Sequence, residues 1–120
     1  KLVEIAAVPW HMAEFAKRLE LEDGLPIVGH SQGIGTMGPA LQAFEQAFLS
    51  GKIVHNGDPV LEACLANSRT KADDNGNRRL TKTGSRGLID AAIAALMAVH
   101  SYSLGVTDEG SVYDQGNVIL

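Results

Sequence analysis

The amino-acid sequence predicts an α/β domain: a short mixed sheet with flanking helices and a basic β-hairpin. Three observations predict it. Apolar runs too short for helices, at 2–8 and 25–28, bracket a segment of helical periodicity. Further helical segments follow, the last of them almost wholly apolar. Between them, the turn-rich Asp73-Asp74-Asn75-Gly76-Asn77 separates two short stretches, 68–72 and 78–82, in the manner of a hairpin.

The first run, 2–8, is broken only by Glu4 and ends at Pro9-Trp10, as a short buried strand would. Pro9 suits the first position of a helix, where a missing N–H leaves nothing unsatisfied. Met12, Phe15, Ala16 and Leu19 then recur at helical spacing, with Glu14, Lys17, Arg18 and Glu20 on other faces. Gly24 stops that helix and 25–28 returns as a second strand. This strand–helix–strand order favours parallel pairing. The glycines of 29–38 predict a loop, with Pro39 opening a helix whose face carries Leu41, Phe44 and Phe48 and which ends at Gly51. Residues 52–55 read as a strand and Asn56-Gly57 as a turn. Asp58-Pro59 reads as a cap and first helical residue, for a helix running to about Ala66. From Leu88 to Val99 every residue except Asp90 is Ala, Leu, Ile, Val or Met, predicting a helix buried nearly all round. Beyond Leu104 the pattern dissolves, so residues 1–104 are read as the folded unit and 105–120 as a tail.

A chain of 120 residues with 45% hydrophobic content can build one core unaided. The single cysteine, Cys64, excludes an internal disulfide and sits in an apolar helical pattern, which suits a buried thiol in a reducing, cytoplasmic setting. No apolar run reaches the roughly 18 residues of a spanning helix, and no leader pattern is present, so neither membrane nor export is expected. A net charge of −4 argues against a uniformly nucleic-acid-coating surface, but six of the ten basic residues fall in one stretch: Arg69, Lys71, Arg78, Arg79, Lys82 and Arg86. Such a stretch can hold phosphates, or be an ordinary charged hairpin.

Asp90 is the most informative position, because an ionised carboxylate among apolar neighbours must be compensated. An ion pair with Arg86, one turn back, would do so, as would exposure at the helix start, where an acid suits the dipole. A third compensation is a hard divalent cation, Mg²⁺ or Mn²⁺, which requires further carboxylates nearby. A separate motif, Gly29-His30-Ser31-Gln32-Gly33, fits the G-x-S-x-G elbow of serine hydrolases, with Ser31 as nucleophile. Against it, the helix that should follow at once is expected only at Pro39, and the sole histidine downstream of a plausible acid is His100, inside the apolar helix. His11, His30, His55 and His100 show no zinc-ligand spacing and read as structural or exposed.

Several segments, in order, resemble the nuclease domain of the large terminase subunit of tailed phages and prophages. They are Val3-Glu4-Ile5 leading to Pro9-Trp10; Gly24-Leu25-Pro26-Ile27-Val28 with Gln32; and Pro39-Ala40 with the Phe44 helix. His55-Asn56-Gly57-Asp58-Pro59-Val60-Leu61 with Asn67 follows, then Asp73-Asp74-Asn75-Gly76-Asn77 with Lys82, and last Ile89-Asp90 followed by Ala95-Leu96-Met97-Ala98. The resemblance implies the C-terminal portion of a ribonuclease H-like domain, in which acids from two strands and the final helix hold two Mg²⁺ or Mn²⁺ ions for DNA cleavage. It makes Asp90 the catalytic and metal-binding acid of the final helix, and Lys71, Arg78, Arg79, Lys82 and Arg86 candidates for contact with double-stranded DNA. It also implies work in the host bacterial cytoplasm on concatemeric viral DNA, beside other terminase subunits and the portal. In the resembling proteins an acid precedes the proline matched by Pro9. Val8 stands there instead, with Glu4 on the same strand face as the substitute acid. The family's first acidic strand and its ATPase motor would lie ahead of Lys1. An inactive remnant that retains a DNA-binding or assembly role is the alternative implied by Val8.

Overall fold

Ten elements follow one another among the described residues: β1 (Ile5–Ala7), α1 (Ala13–Asp23), β2 (Ile27–Gly29), α2 (Ile34–Leu49), β3 (Ile53–Val54), α3 (Pro59–Asn67), β4 (Arg69–Ala72), β5 (Arg78–Thr81), α4 (Asp90–Glu109) and β6 (Val118–Ile119). The computed structural model describes residues 4–8, 12–81, 87–109 and 118–119. Of the expected features, Pro9, Trp10, His11, Lys82 and Arg86 lie outside the described residues.

The α/β character holds, but the sheet differs from expectation. Among the described residues the strands form three separate two-stranded ladders: β1 with β2, parallel; β3 with β6, parallel; and β4 with β5, antiparallel. Strands of two to four residues offer too little ladder to organise a wide sheet. The core is therefore built by helices. Met37, Ala40, Leu41 and Phe44 of α2 pack with Ala95, Leu96, Met97 and Val99 of α4, and Ala6 and Val8, Ile53 and Leu80 close in from the strands.

Local chemistry explains most boundaries. Gly24 ends α1 in the left-handed conformation (φ 63°), its N–H bonding the Leu19 carbonyl, the ordinary glycine stop. Asp58 caps α3, its Oδ1 accepting from the N–H groups of Val60 (2.8 Å) and Leu61 (3.1 Å), with Pro59 beginning the helix. In the hairpin turn, Asp73 gathers the N–H groups of Asn75 (2.9 Å) and Asn77 (2.8 Å) and the Asn77 amide (3.1 Å), while Gly76 supplies φ 81°. Those donors hold the Asp73 carboxyl below its usual range.

Two expected boundaries move. The helix expected from Pro39 begins at Ile34, with Pro39 inside it. Proline there deprives only the Gly35 carbonyl of its partner, and Gly35 is exposed, so water can satisfy it. Gly38 brings α2 against β5, a Cβ at that position falling 3.4 Å from the Arg78 carbonyl oxygen. At the other end, α4 continues past Leu104 to Glu109, and Val118–Ile119 pairs with β3 within the segment expected as a tail. The amphipathic helix α1 also buries none of its residues: Phe15 is 52% exposed and Leu21 73%.

Candidate functional site

Asp90 is the first residue of α4 and is exposed. Residues 90, 94 and 98 form the exposed stripe of a helical stretch whose other faces are largely buried. The premise of a carboxylate embedded among apolar side chains is therefore corrected. Asp90 sits at the water-facing N-terminus, where the helix dipole favours it, and burial imposes no need for a counter-ion. The sequence pattern misled because the apolar run begins two residues before the helix does, at Leu88.

Asp90 nonetheless faces a definite space. A cavity of about 420 Å³ is lined by Gln32 from the β2–α2 connection, by Leu80 and Thr81 of β5, and by Ile89, Asp90, Ile93, Ala94 and Met97 around the start of α4. Gln32 reaches across it, its Nε2 lying 3.9 Å from the Met97 sulfur. At the opposite end of β1, Glu4 accepts from the hydroxyl of Ser101, eleven residues and about 16 Å along α4 from Asp90. The connection that leaves the C-terminal end of β2 thus supplies Gln32 to the cavity wall.

This geometry tests the expected metal centre. Glu4 does not stand beside Asp90, because it is bonded to Ser101 in the middle of α4, eleven residues further along the helix. Val8 itself packs against the core. Among the described residues no group of three or more His, Cys, Asp or Glu side chains could hold a metal ion. Among the described residues, one carboxylate, Asp90, lines the cavity.

The basic hairpin sorts its cations. Arg78 forms a two-pronged pair with Glu45 of α2 (2.9 and 2.6 Å), anchoring β5 to α2. That hydrogen bonding lowers the Glu45 carboxyl from its ordinary value and raises Arg78. Arg69 donates to the carbonyls of Ala66 (3.0 Å) and Ser68 (2.9 Å) at the end of α3. Lys71 and Arg79 lie directly opposite one another in the ladder. Both are exposed, and no anionic side chain among the described residues pairs with either. Like charges so placed repel, which makes this face an attractive seat for an anion. Arg79 is two residues, about 7 Å along the strand, from Thr81 on the cavity wall.

Ser31 is exposed, and its Oγ accepts from the Gly33 N–H at 3.0 Å. The early start of α2 removes one objection to a nucleophile elbow, but no histidine nitrogen among the described residues bonds that hydroxyl. His30 instead bonds the Ser31 carbonyl oxygen (2.9 Å) and His100 (2.9 Å). His55 is structural, accepting from the Gly57 N–H at 3.1 Å. Cys64 is buried and free, as expected. The sequence did not mark Gln32 as lining a site, nor the His30–His100 pair. Their partners are 65 and 70 residues away, so no spacing rule reaches them.

No helix among the described residues is long and apolar enough to cross a membrane. Comparison with known proteins agrees with the order of motifs. The family described as the endonuclease domain of the terminase large subunit matches residues 1–105. The terminase large subunit of Enterobacteria phage HK97 is 34% identical over 114 residues, 94% of this chain and 23% of that protein. The crystal structure of the HK97 large terminase superposes with a TM-score of 0.75 at 34% identity, covering 84% of this chain and 21% of that one. The chain thus spans less than a quarter of the relative it matches, and over that span it belongs to the terminase large subunit endonuclease-domain family.

Proposed function

We propose that this chain is the DNA-engaging part of a ribonuclease H-like terminase nuclease domain, seating double-stranded DNA along the β4–β5 hairpin with its phosphates beside the Asp90 cavity. The observation that carries this reading is the Lys71–Arg79 pair: two exposed cations directly opposite each other, with no anionic side chain among the described residues paired to either, two residues along β5 from the wall of the cavity that Asp90 lines. Phosphate contacts of this kind fix the register of the duplex without reading its sequence. In this reading Arg78 holds the hairpin in place rather than touching DNA, Lys82 and Arg86 stay candidates for phosphate contact from the sequence alone, and Asp90 is the acid offered to Mg²⁺ or Mn²⁺. The biological setting that follows is cutting of concatemeric viral DNA during genome packaging in the host cytoplasm, together with other terminase subunits and the portal.

A second reading has a specific observation in its favour. Val8 packs into the core, and the described residues lack a three-acid cluster, which supports a domain that binds DNA without cutting it. One pair of experiments separates the two. DNA affinity of the chain is expected to fall with added salt, and the double change Lys71→Gln with Arg79→Gln to reduce the slope of that fall by about two phosphate contacts. A slope that stays the same overturns the hairpin interface. Mg²⁺ titration followed by NMR is expected to move the signals of Asp90 and Gln32, and to move nothing in Asp90→Asn. If Asp90 stays still while the salt slope behaves as expected, the non-cutting reading stands.

A further inference from the structure

Three polar residues among the described ones are buried: His30 (6% exposed), His100 (9%) and Ser101 (8%). Ser101 is satisfied by Glu4. The two histidines satisfy each other, His30 Nε2 lying 2.9 Å from His100 Nδ1, with the rings edge to face at 80° and 5.1 Å between centroids. Neither ring has a part in seating DNA on the hairpin. A buried polar pair joining residues 70 apart in sequence is costly unless fully bonded, and its position indicates what it does.

The bonding fixes the protons. A carbonyl only accepts, so the bond from His30 Nδ1 to the Ser31 oxygen places the hydrogen on Nδ1. In the neutral ring Nε2 is then an acceptor, and His100 must donate through Nδ1–H. Burial, and secondarily the charge His30 would carry, push His100 below its ordinary value, which keeps that ring neutral. His30 directly follows β2, and Gln32 lies two residues further on, ahead of α2. Gln32 is exposed, and among the described residues its side-chain hydrogen bond to α4 is the long one to the Met97 sulfur, so the histidine bond is the shorter tie between this turn and α4.

We propose that the His30–His100 hydrogen bond is a positioning device. It pins the turn after β2 to α4 and so holds the Gln32 carboxamide on the wall of the Asp90 cavity, where its N–H groups meet a phosphodiester oxygen of bound DNA. This rests on the DNA-binding reading above for the identity of the ligand, though not for the pinning itself. Gln32 is the contacting group in this arrangement, and His30 and His100 act through it.

NMR on the whole chain tests both halves. In the unaltered protein the imidazole nitrogen shifts are expected to show hydrogen on Nδ1 of both rings, with a coupling across the Nε2···Nδ1 contact. Other tautomers without that coupling overturn the proposal before any variant is made. His100→Leu is expected to shift and broaden the Gln32 side-chain amide while hairpin amides keep their positions. His100→Asn, which returns an N–H near the lost Nδ1–H, is expected to restore the Gln32 signals. An unmoved Gln32 in His100→Leu, or no rescue by Asn, overturns the pinning. Should His100→Leu not fold, the ring coupling and the Asn variant decide. A short duplex is then added to the unaltered protein. Movement at Lys71, Arg79 and Gln32 supports the contact, and movement at the two cations alone overturns it. If none of the three moves, the DNA-binding reading fails while the histidine coupling still reports on the pin.

Discussion

Asp58, Asp73 and Asp90 show how differently one side chain serves three places. Asp58 and Asp73 spend their oxygens on backbone N–H groups of a helix start and a turn. Asp90, exposed at the head of α4, lines the cavity instead. The motif around His55-Asn56-Gly57-Asp58-Pro59, which carried part of the family resemblance, is thereby accounted for as capping: Asn56 Oδ1 accepts from the Asp58 N–H at 3.1 Å, and Gly57 takes φ 73°. Asp58→Ala is expected to destabilise the chain by about 0.5–2 kcal/mol. Urea denaturation of the two proteins measures this, and an unchanged midpoint would show that α3 does not depend on its cap.

At the scale of elements, α3 and α4 meet where Asn67 donates to the Leu88 carbonyl at 3.4 Å. A Cβ at Gly87 would collide with the Asn67 carboxamide, its carbon 2.9 Å away. Gly87→Ala therefore has to displace Asn67 and lose that bond, an expected cost of about 0.5–1.5 kcal/mol. Pairing it with Asn67→Ala in a double-mutant cycle is the check, since the alanine at 87 should cost less once Asn67 is gone. The hairpin depends in turn on α2 through Arg78 and Glu45. Glu45 has its carboxyl lowered by Arg78, so the anchorage is intact above the ordinary glutamate range and is lost as pH falls through the lowered value.

For the whole molecule, stability rests on the α2–α4 core, with Leu96 at 1% exposure its most enclosed large side chain. Leu96→Ala is expected to cost about 2–5 kcal/mol, readable as a lower denaturation midpoint with an unchanged m-value. Acid should act on the same core through His100. Its folded value lies below the ordinary 6.5, so the unfolded chain takes up a proton that the folded one refuses. Stability is then full above about 6.5 and declines as pH drops toward the lowered value. Melting curves at pH 7.5 and 5.5 should differ in that direction, and His100→Gln should reduce the difference. The sequence by itself determined the alternation of elements, the helix cap at Asp58, the stop at Gly24, the hairpin around Asp73 and the family. Each depends on neighbours within a few residues or on motifs in linear order. Only the tertiary structure decided that Asp90 is exposed, that Glu4 meets Ser101 in the middle of α4 and not Asp90, that Arg78 is paired with Glu45 while no anionic side chain among the described residues pairs with Lys71 or Arg79, and that His30 meets His100. Those facts depend on which end of one element packs against which end of another, and periodicity along a chain specifies a face but not the partner or the direction of approach.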